Sequence, residues 1–481
     1  MARATDQITR TSSVAGSQST EQSGARPVVQ TTSGAVQGTF ENGTAVFRGI
    51  PYAEPPVGKL RFRPPAPRQR WDGVFDASRF GHIAPQTYQP LEDRFLGGHN
   101  APQGDDCDDC LNLNVWTPQP GDAMLPVFMW IHGGGLVTGA GSDLIYDGTT
   151  FAREGVVTVT INYRLDAPGY LYVGDRRGSG NFGLLDQIAA LTWVQENVAR
   201  FGGDPSQVTV GGESAGAHSI GGLLAAPSAR GLFRRAILQS GAASSHQPVE
   251  AAAVIGSEIL RRVGVRPGDD DALAGLTSAE LLAAKQAVNP QVLPLLRARG
   301  VPLNIFHAGW GSPTLMTSGT DVLPTGIDAI RRGAPRDVDV LIGSNADECS
   351  WLRPALQEPH DAADTIFSAI GGSGASVLDV YRRNRPGLPQ SQADRCVLDD
   401  MVFRLPAIRL AEAAALHNPR TYMFRFAWGS PPLEGKFGAG HAFELPFMWD
   451  VLDKFPSGPD GRYGREGAST GIGDDHARRL G

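Results

Sequence analysis

Short runs of aliphatic and β-branched residues alternate along the chain with helix-period patterns. The runs are Val127 to Ile131, Val156 to Asn162, Val208 to Val210, Ala236 to Leu238 and Val338 to Ile342. Apolar runs without polar alternation suit strands buried on both faces, so they predict several parallel strands. Between the second and third runs, Leu184, Ile188, Leu191, Val194 and Val198 recur at helical spacing and line one face. Gly202-Gly203 predicts the end of that helix. Strand, helix, strand in that order predicts an α/β fold with a doubly wound sheet. Residues 247–335 are more helical and broken by prolines, which predicts an insertion over one end of the sheet rather than a second domain. Upstream, apolar-bearing runs between Val36 and Arg48 flank Asn42-Gly43, whose tolerance of positive φ predicts a tight β-hairpin.

The two ends read differently from the middle. Residues 1–26 are rich in Ser, Thr, Gln and Ala without any period, so a mobile tail is expected, with the fold beginning near Pro27. That start also lacks the apolar block of a signal peptide, and no stretch is long and apolar enough to span a membrane. Among 481 residues, 41% are hydrophobic, too many for a disordered chain, while 60 glycines and 35 prolines predict a loop-rich globular one. The formal charge of −7 offers no basic surface for phosphates, so nucleic acid is not an expected partner. Four cysteines do not make a disulfide framework and point to a reducing, cytoplasmic setting. Cys107-Asp108-Asp109-Cys110 has no second pair for a metal, and its aspartates disfavour thiolates. The sequon Asn42-Gly43-Thr44 would go unused in such a compartment.

Candidate chemistry centres on Gly212-Glu213-Ser214-Ala215-Gly216, a G-x-S-x-G pattern that holds a serine hydroxyl on a sharp strand-to-helix turn. The pattern recurs at Gly467-Ala468-Ser469-Thr470-Gly471, but only Ser214 has a strand before it and an apolar helix, Ala217 to Ala226, after it. His132-Gly133-Gly134-Gly135 follows the run ending at Ile131. Its backbone N–H groups, with that of Ala215, are placed to form an oxyanion hole. It lacks the lysine of a phosphate loop and the third glycine of a dinucleotide fingerprint.

A serine needs a base and an orienting acid, which in this arrangement follow it in the order serine, acid, histidine. The loop after Val338 to Ile342 offers Asp347 and Glu348, and pattern alone does not choose between them. Of the later histidines, His360 opens a polar stretch, His417 ends a helical segment and His476 lies beside aspartates in the tail. His441, in a glycine-rich loop after the strand-like Thr421 to Trp428, suits a base best. His218, on the helix behind the serine, is expected to be structural. No H-E-x-x-H zinc motif or Ser-x-x-Lys motif occurs.

Taken together the residues resemble the type-B carboxylesterases of the α/β-hydrolase fold. The resemblance covers about Val28 to Leu452. It rests on Phe47-Arg48-Gly49-Ile50-Pro51-Tyr52-Ala53-Glu54-Pro55-Pro56, Asp109-Cys110-Leu111-Asn112-Leu113-Asn114-Val115-Trp116, Asn162-Tyr163-Arg164, and Phe201-Gly202-Gly203-Asp204-Pro205 leading into the elbow. It implies a single hydrolase domain over 27–453, with Ser214 as nucleophile, His441 as base and Glu348 as acid. Gly134, Gly135 and Ala215 match the oxyanion-hole positions. It further implies ion pairs of Arg48 with Asp109 and Arg164 with Asp186, and buried acidic groups, Glu213 and Glu444, behind the triad. A small-molecule ester is the implied substrate, cleaved without metal or organic cofactor. The same parts serve a carbamate or amide hydrolase, and some relatives use the fold only for binding. Oligomeric state is left open.

Three departures stand out. Ala84 occupies the position of the cysteine that in relatives pairs with Cys110, so that bridge cannot form. Tyr88 and Phe95 are the aromatics between them, without the tryptophan of a choline seat. Residues 454–481 are rich in Gly, Arg and Asp where relatives carry a further helix, so an irregular, shortened tail is expected, with stability and activity at stake. Phe443, Phe447, Met448 and Trp449, after the histidine, are expected to wall an apolar ester pocket with residues 247–335.

Overall fold

A computed structural model describes residues 26–87, 106–352, 374–387, 390–430 and 438–454, apart from 267, 302, 305–306 and 308–312. Nine strands build the main sheet: β1 (Thr39–Glu41), β2 (Thr44–Pro51), β3 (Asn112–Thr117), β4 (Gly121–Ile131), β5 (Val157–Ile161), β6 (Phe201–Glu213), β7 (Arg235–Gln239), β8 (Asp339–Asn345) and β9 (Thr421–Phe426). Their order is β9-β8-β7-β6-β4-β5-β3-β2-β1. From β9 to β5 every pairing is parallel, and β3, β2 and β1 continue the sheet antiparallel. All five apolar runs map onto parallel strands, with only Val156, Asn162 and Val338 lying just outside them. The antiparallel edge follows from the hairpin, where Asn42 and Gly43 both take positive φ, 50° and 81°.

From β4 the chain steps outward to β5 and then returns to β6 on the other side of β4. The loops leaving the carboxyl ends of β4 and β6 thus meet at a switch point, where open parallel sheets place their crevices. Helix α1 (Phe182–Asn197) makes that return, with Leu184, Leu191 and Val194 in the same core as Val127, Met129, Ile131, Val208 and Val210. The helix proper ends at Asn197 and passes through a tighter turn, Val198–Arg200, so it stops earlier than Gly202-Gly203 suggested. Gly202 instead turns the chain into β6 at φ 86°, where a side chain would strike the Gln119 carbonyl. On the opposite sheet face Phe128 and Trp130 pack with Tyr146, Phe151 and Trp449.

Helices α2 (Ala215–Ala225), α3 (Val249–Arg262) and α4 (Ser278–Val288) follow. Ala251, Ile255, Ile259, Leu281 and Val288 of the last two pack on Ala167, Leu171 and Val173, beyond the carboxyl end of β5. The helical segment is therefore a cap on that end of the sheet. Of the two expected ion pairs, Arg164 does clasp Asp186: Nε and Nη2 reach the two carboxylate oxygens at 2.8 and 2.7 Å. Arg48 does not meet Asp109. It grips Glu41 on the same hairpin with both nitrogens, at 2.5 and 2.6 Å, and stacks over Phe80, while Asp109 is exposed. Glu41 is close in chain as well as in space, so little entropy is spent in bringing the two together. All four cysteines are free thiols, and Ala84 and Cys110 are buried in one core. Among the described residues, no helix is long and apolar enough to cross a membrane.

Candidate active site

Ser214 joins β6 to α2 at φ 52° and ψ −118°, a conformation that L residues avoid. Its N–H donates to Gln239 of β7 at 2.9 Å and its carbonyl accepts from His218 N–H at 2.9 Å, which holds the turn. The flanking glycines are obligatory, because a Cβ on Gly212 would lie 2.9 Å and one on Gly216 2.0 Å from the Ile131 carbonyl oxygen, and Gly241, after β7, is crowded too, its Cβ position being 2.6 Å from the Ser214 carbonyl oxygen.

The loop after β4 lies against this elbow. A Cβ on Gly133 would come within 2.7 Å of Glu213 Oε2 and 3.3 Å of Ser214 Cβ. Gly134, Gly135 and Leu136 take positive φ in succession, 96°, 63° and 65°. Successive turns of this kind can aim backbone N–H groups into one concavity, a nest for negative charge. Ala215 opens α2, so its N–H has no acceptor within the helix. Beneath the loop, His132 is buried and stacks on Tyr163 at 4.5 Å, while Tyr163 Oη donates to the His132 carbonyl at 3.0 Å. Burial pushes that imidazole down to about 4, so it is a neutral prop.

Two further loops converge from β8 and from beyond β9. Asn345 N–H donates to Glu348 Oε1 at 2.7 Å, and Oε2 of the same carboxylate lies 2.6 Å from His441 Nδ1. The loops are tied through their backbones, Asp347 N–H to Ala439 O at 3.0 Å and His441 N–H to Glu348 O at 3.3 Å. Of the two acids left open by the sequence, Glu348 is thus the one at the imidazole. Asp347 pairs with Arg395 at 3.2 Å and accepts from Ala439 N–H.

On its other side His441 Nε2 lies 3.1 Å from Glu213 Oε1. Burial alone would lower its basicity, but the carboxylates of Glu213, Glu348 and Glu444 outweigh burial and push it up to about 9. Glu444 is fully buried. Asn345 Nδ2 donates to it at 2.6 Å and Gln239 Nε2 at 3.2 Å, while burial and the neighbouring Glu348 push it up to about 7. The expected residues Ser214, Glu213, Gly134, Gly135, Ala215, Glu348, His441 and Glu444 therefore cluster at the carboxyl ends of β4, β6 and β8.

Other expectations fall elsewhere. His218 is buried and its Nδ1 engages the Ala242 backbone, and His417 reaches the Arg331 carbonyl at the surface. His360, His476, Ser469, Tyr88 and Phe95 lie outside the described residues. The apolar pocket wall needs correcting. Phe443, Phe447, Met448 and Trp449 are at most 3% exposed, and Trp449 packs edge-on against Trp130 at 5.4 Å, so these side chains are packed inside the protein. Sequence reading also missed three neighbours: Asn345, which bonds both Glu348 and Glu444; Phe403, whose ring lies 4.8 Å from that of His441; and Asp399, which accepts from Cys349 N–H at 2.6 Å. Asn345 sat in the acid loop as a visible polar residue. Phe403 and Asp399 left no pattern, because their contacts cross from a distant helix.

The parallel sheet, the elbow after β6 and the loops from β4, β8 and β9 define an α/β hydrolase. A model of the carboxylesterase family matches residues 25–453. The chain is 38% identical to the para-nitrobenzyl esterase of Bacillus subtilis (strain 168), covering 89% of this chain and 83% of that one. It is 35% identical to the phenmedipham hydrolase of Pseudarthrobacter oxydans, over 90% and 85%. The solved structure of a thermophilic PNB esterase superposes with a TM-score of 0.76 at 36% identity, over 89% and 85%. The chain belongs to the carboxylesterase family and is a carboxylic ester hydrolase.

Proposed function

We propose that this protein is a serine esterase that cleaves small-molecule carboxylic esters through an acyl-enzyme, with Ser214 as nucleophile, His441 as general base and Glu348 as the acid that orients it. The observation that carries the reading is the 2.6 Å contact between His441 Nδ1 and Glu348 Oε2, with His441 Nε2 at 3.1 Å from Glu213, the residue that precedes Ser214 in its strained elbow. Neutral His441 takes the Ser214 proton as the hydroxyl oxygen attacks the ester carbonyl carbon. The carbonyl oxygen becomes an alkoxide, received by the N–H groups of Gly134, Gly135 and Ala215. The imidazolium returns its proton to the departing alcohol. Water, deprotonated by the same imidazole, then attacks the acyl carbon, the bond from that carbon to Ser214 Oγ breaks, the imidazolium returns its proton to Oγ and the acid leaves. Besides the ester and water, every group in this sequence belongs to the chain. The unpaired thiols suit a reducing, cytoplasmic setting.

The test is Ser214→Ala. Hydrolysis of p-nitrophenyl acetate should fall by about 10⁴ or more, and labelling by a fluorophosphonate probe should vanish. A variant that kept most of its turnover would overturn the assignment.

A further inference from the structure

Lysine is almost never buried without a partner. Lys285, one of four lysines in the chain, sits on α4 within the cap with its side chain 9% exposed. Its Nζ lies 3.1 Å from Asp166 Oδ2, and Thr314 Oγ1 donates to Asp166 Oδ1 at 3.0 Å. Asp166 is itself buried and takes a positive φ of 50°, which costs an ordinary residue on the order of 1 kcal/mol. A strained, buried carboxylate clasped from two segments beyond β5 is a costly construction, so what else it holds matters.

It holds the candidate oxyanion loop. The backbone N–H of Asp166 donates to the carbonyl of Leu136 at 2.7 Å. Leu136 is the third positive-φ residue after Gly134 and Gly135 and the only one of them with a side chain to strain it. The Gly134 carbonyl, in the same peptide plane as the Gly135 N–H, accepts from Val137 and Thr138 N–H at 3.0 and 2.9 Å, so the Asp166 bond to Leu136 anchors the middle of the turn that these bonds close. The left-handed turn at Asp166 points that N–H at Leu136, and Lys285 and Thr314 fix the side chain of the same residue.

We propose that Lys285, acting through Asp166, is a positioning residue for the oxyanion loop, so that the helical cap and the alkoxide-binding N–H groups are mechanically joined. The inference rests on the esterase reading above. Without the ion pair, the cap no longer fixes Asp166, Leu136 relaxes, and the N–H groups lose their aim at the alkoxide. Substrate binding, which does not depend on the alkoxide, stays nearly unchanged.

The experiment compares Lys285→Met, Lys285→Arg and the double variant Asp166→Asn/Lys285→Met with the parent enzyme. The double variant leaves no unpaired buried charge and so keeps the test valid if Lys285→Met fails to fold. With p-nitrophenyl acetate, kcat should fall about tenfold or more in Lys285→Met and in the double variant, with KM within about threefold, and Lys285→Arg should recover most of it. Affinity for an aryl trifluoromethyl ketone, which forms a tetrahedral alkoxide on the serine, should weaken by the same factor as kcat/KM. A folded double variant with kcat within threefold of the parent would overturn the proposal, as would a fall in kcat without loss of ketone affinity. Ser214→Ala in parallel separates the two claims. If it still reacts with a fluorophosphonate, the esterase reading falls and this one with it. If it does not, and the Lys285 variants run at full speed, this inference alone is wrong.

Discussion

His441 Nδ1 lies 2.6 Å from Oε2 of Glu348, while Oε1 of that carboxylate is occupied by the Asn345 N–H at 2.7 Å. The acid is fixed at one oxygen and orients the imidazole with the other. Glu348→Gln would keep the shape but present an amide whose NH₂ group can face Nδ1 and favour the wrong tautomer. We expect kcat on p-nitrophenyl acetate to fall by about 10³ to 10⁴. Asp347→Asn, next door but paired with Arg395, should stay within about tenfold of the parent. Equal losses in the two variants would contradict this division of labour.

The imidazole of His441 is also within 3.1 Å of Glu213 Oε1, and the surrounding carboxylates push it up to about 9. A base works only when unprotonated, so kcat/KM should be lost as pH falls through about 9. Glu213→Gln removes the strongest of the raising charges, so its acid limb should move to lower pH by about one unit or more. Stability runs the other way. A group whose basicity is raised on folding stabilises the fold fully below its ordinary value, near 6.5, and loses that contribution as pH rises through about 9. Melting temperature should therefore decline from pH 6.5 to 9.5 in the parent and decline less in Glu213→Gln. Coincident limbs in the two proteins would remove Glu213 from the account.

What the sequence made legible is what is written locally. The parallel strands are unbroken apolar runs, and the elbow and the triple glycine are short motifs whose sterics admit few residue types. Glu348 could not be told from Asp347 by pattern, because the choice depends on which carboxylate the Asn345 N–H and the loop of His441 capture. Arg48 went to Glu41 rather than Asp109 because the hairpin, which pairs Glu41 with Thr44, keeps the nearer acid within reach of its long side chain. The misread pocket wall has the same origin. Phe447, Met448 and Trp449 form an apolar run after a catalytic loop, and only the packing of Trp449 on Trp130 and Phe128 shows that the run turns inward.

Arg164 and Asp186 are both nearly sealed from solvent, and Arg164 Nη1 also donates to the Arg63 carbonyl at 2.9 Å. Their pairing anchors the segment after β5 to α1. Arg164→Leu would leave the buried Asp186 without its cation and with only the backbone N–H of residue 164, at 3.0 Å, at a cost of about 3 to 5 kcal/mol, whereas replacing both by apolar residues of similar volume should cost much less. Urea denaturation of the single and double variants measures the difference. A single variant within about 1 kcal/mol of the parent would show that the pair is not sealed as described.

Gly133 offers a way to perturb the site without touching any group that reacts. A methyl there would sit 2.7 Å from Glu213 Oε2, 3.0 Å from the Glu213 carbonyl oxygen and 3.3 Å from Ser214 Cβ. The carboxylate can swing, but the carbonyl belongs to the strained elbow and cannot, so the loop must lift away from the serine. The alkoxide-binding N–H groups go with it. Gly133→Ala should lower kcat by about 10² while KM changes little, since one misplaced donor alone is worth that much. Gly43→Ala is the matching control. At φ 81° with nothing within 4 Å, its methyl strains only the hairpin, so it should cost on the order of 1 kcal/mol of stability and leave turnover unchanged. If both alanines lowered kcat alike, the loss would reflect general loosening of the fold rather than displacement of the loop over Ser214.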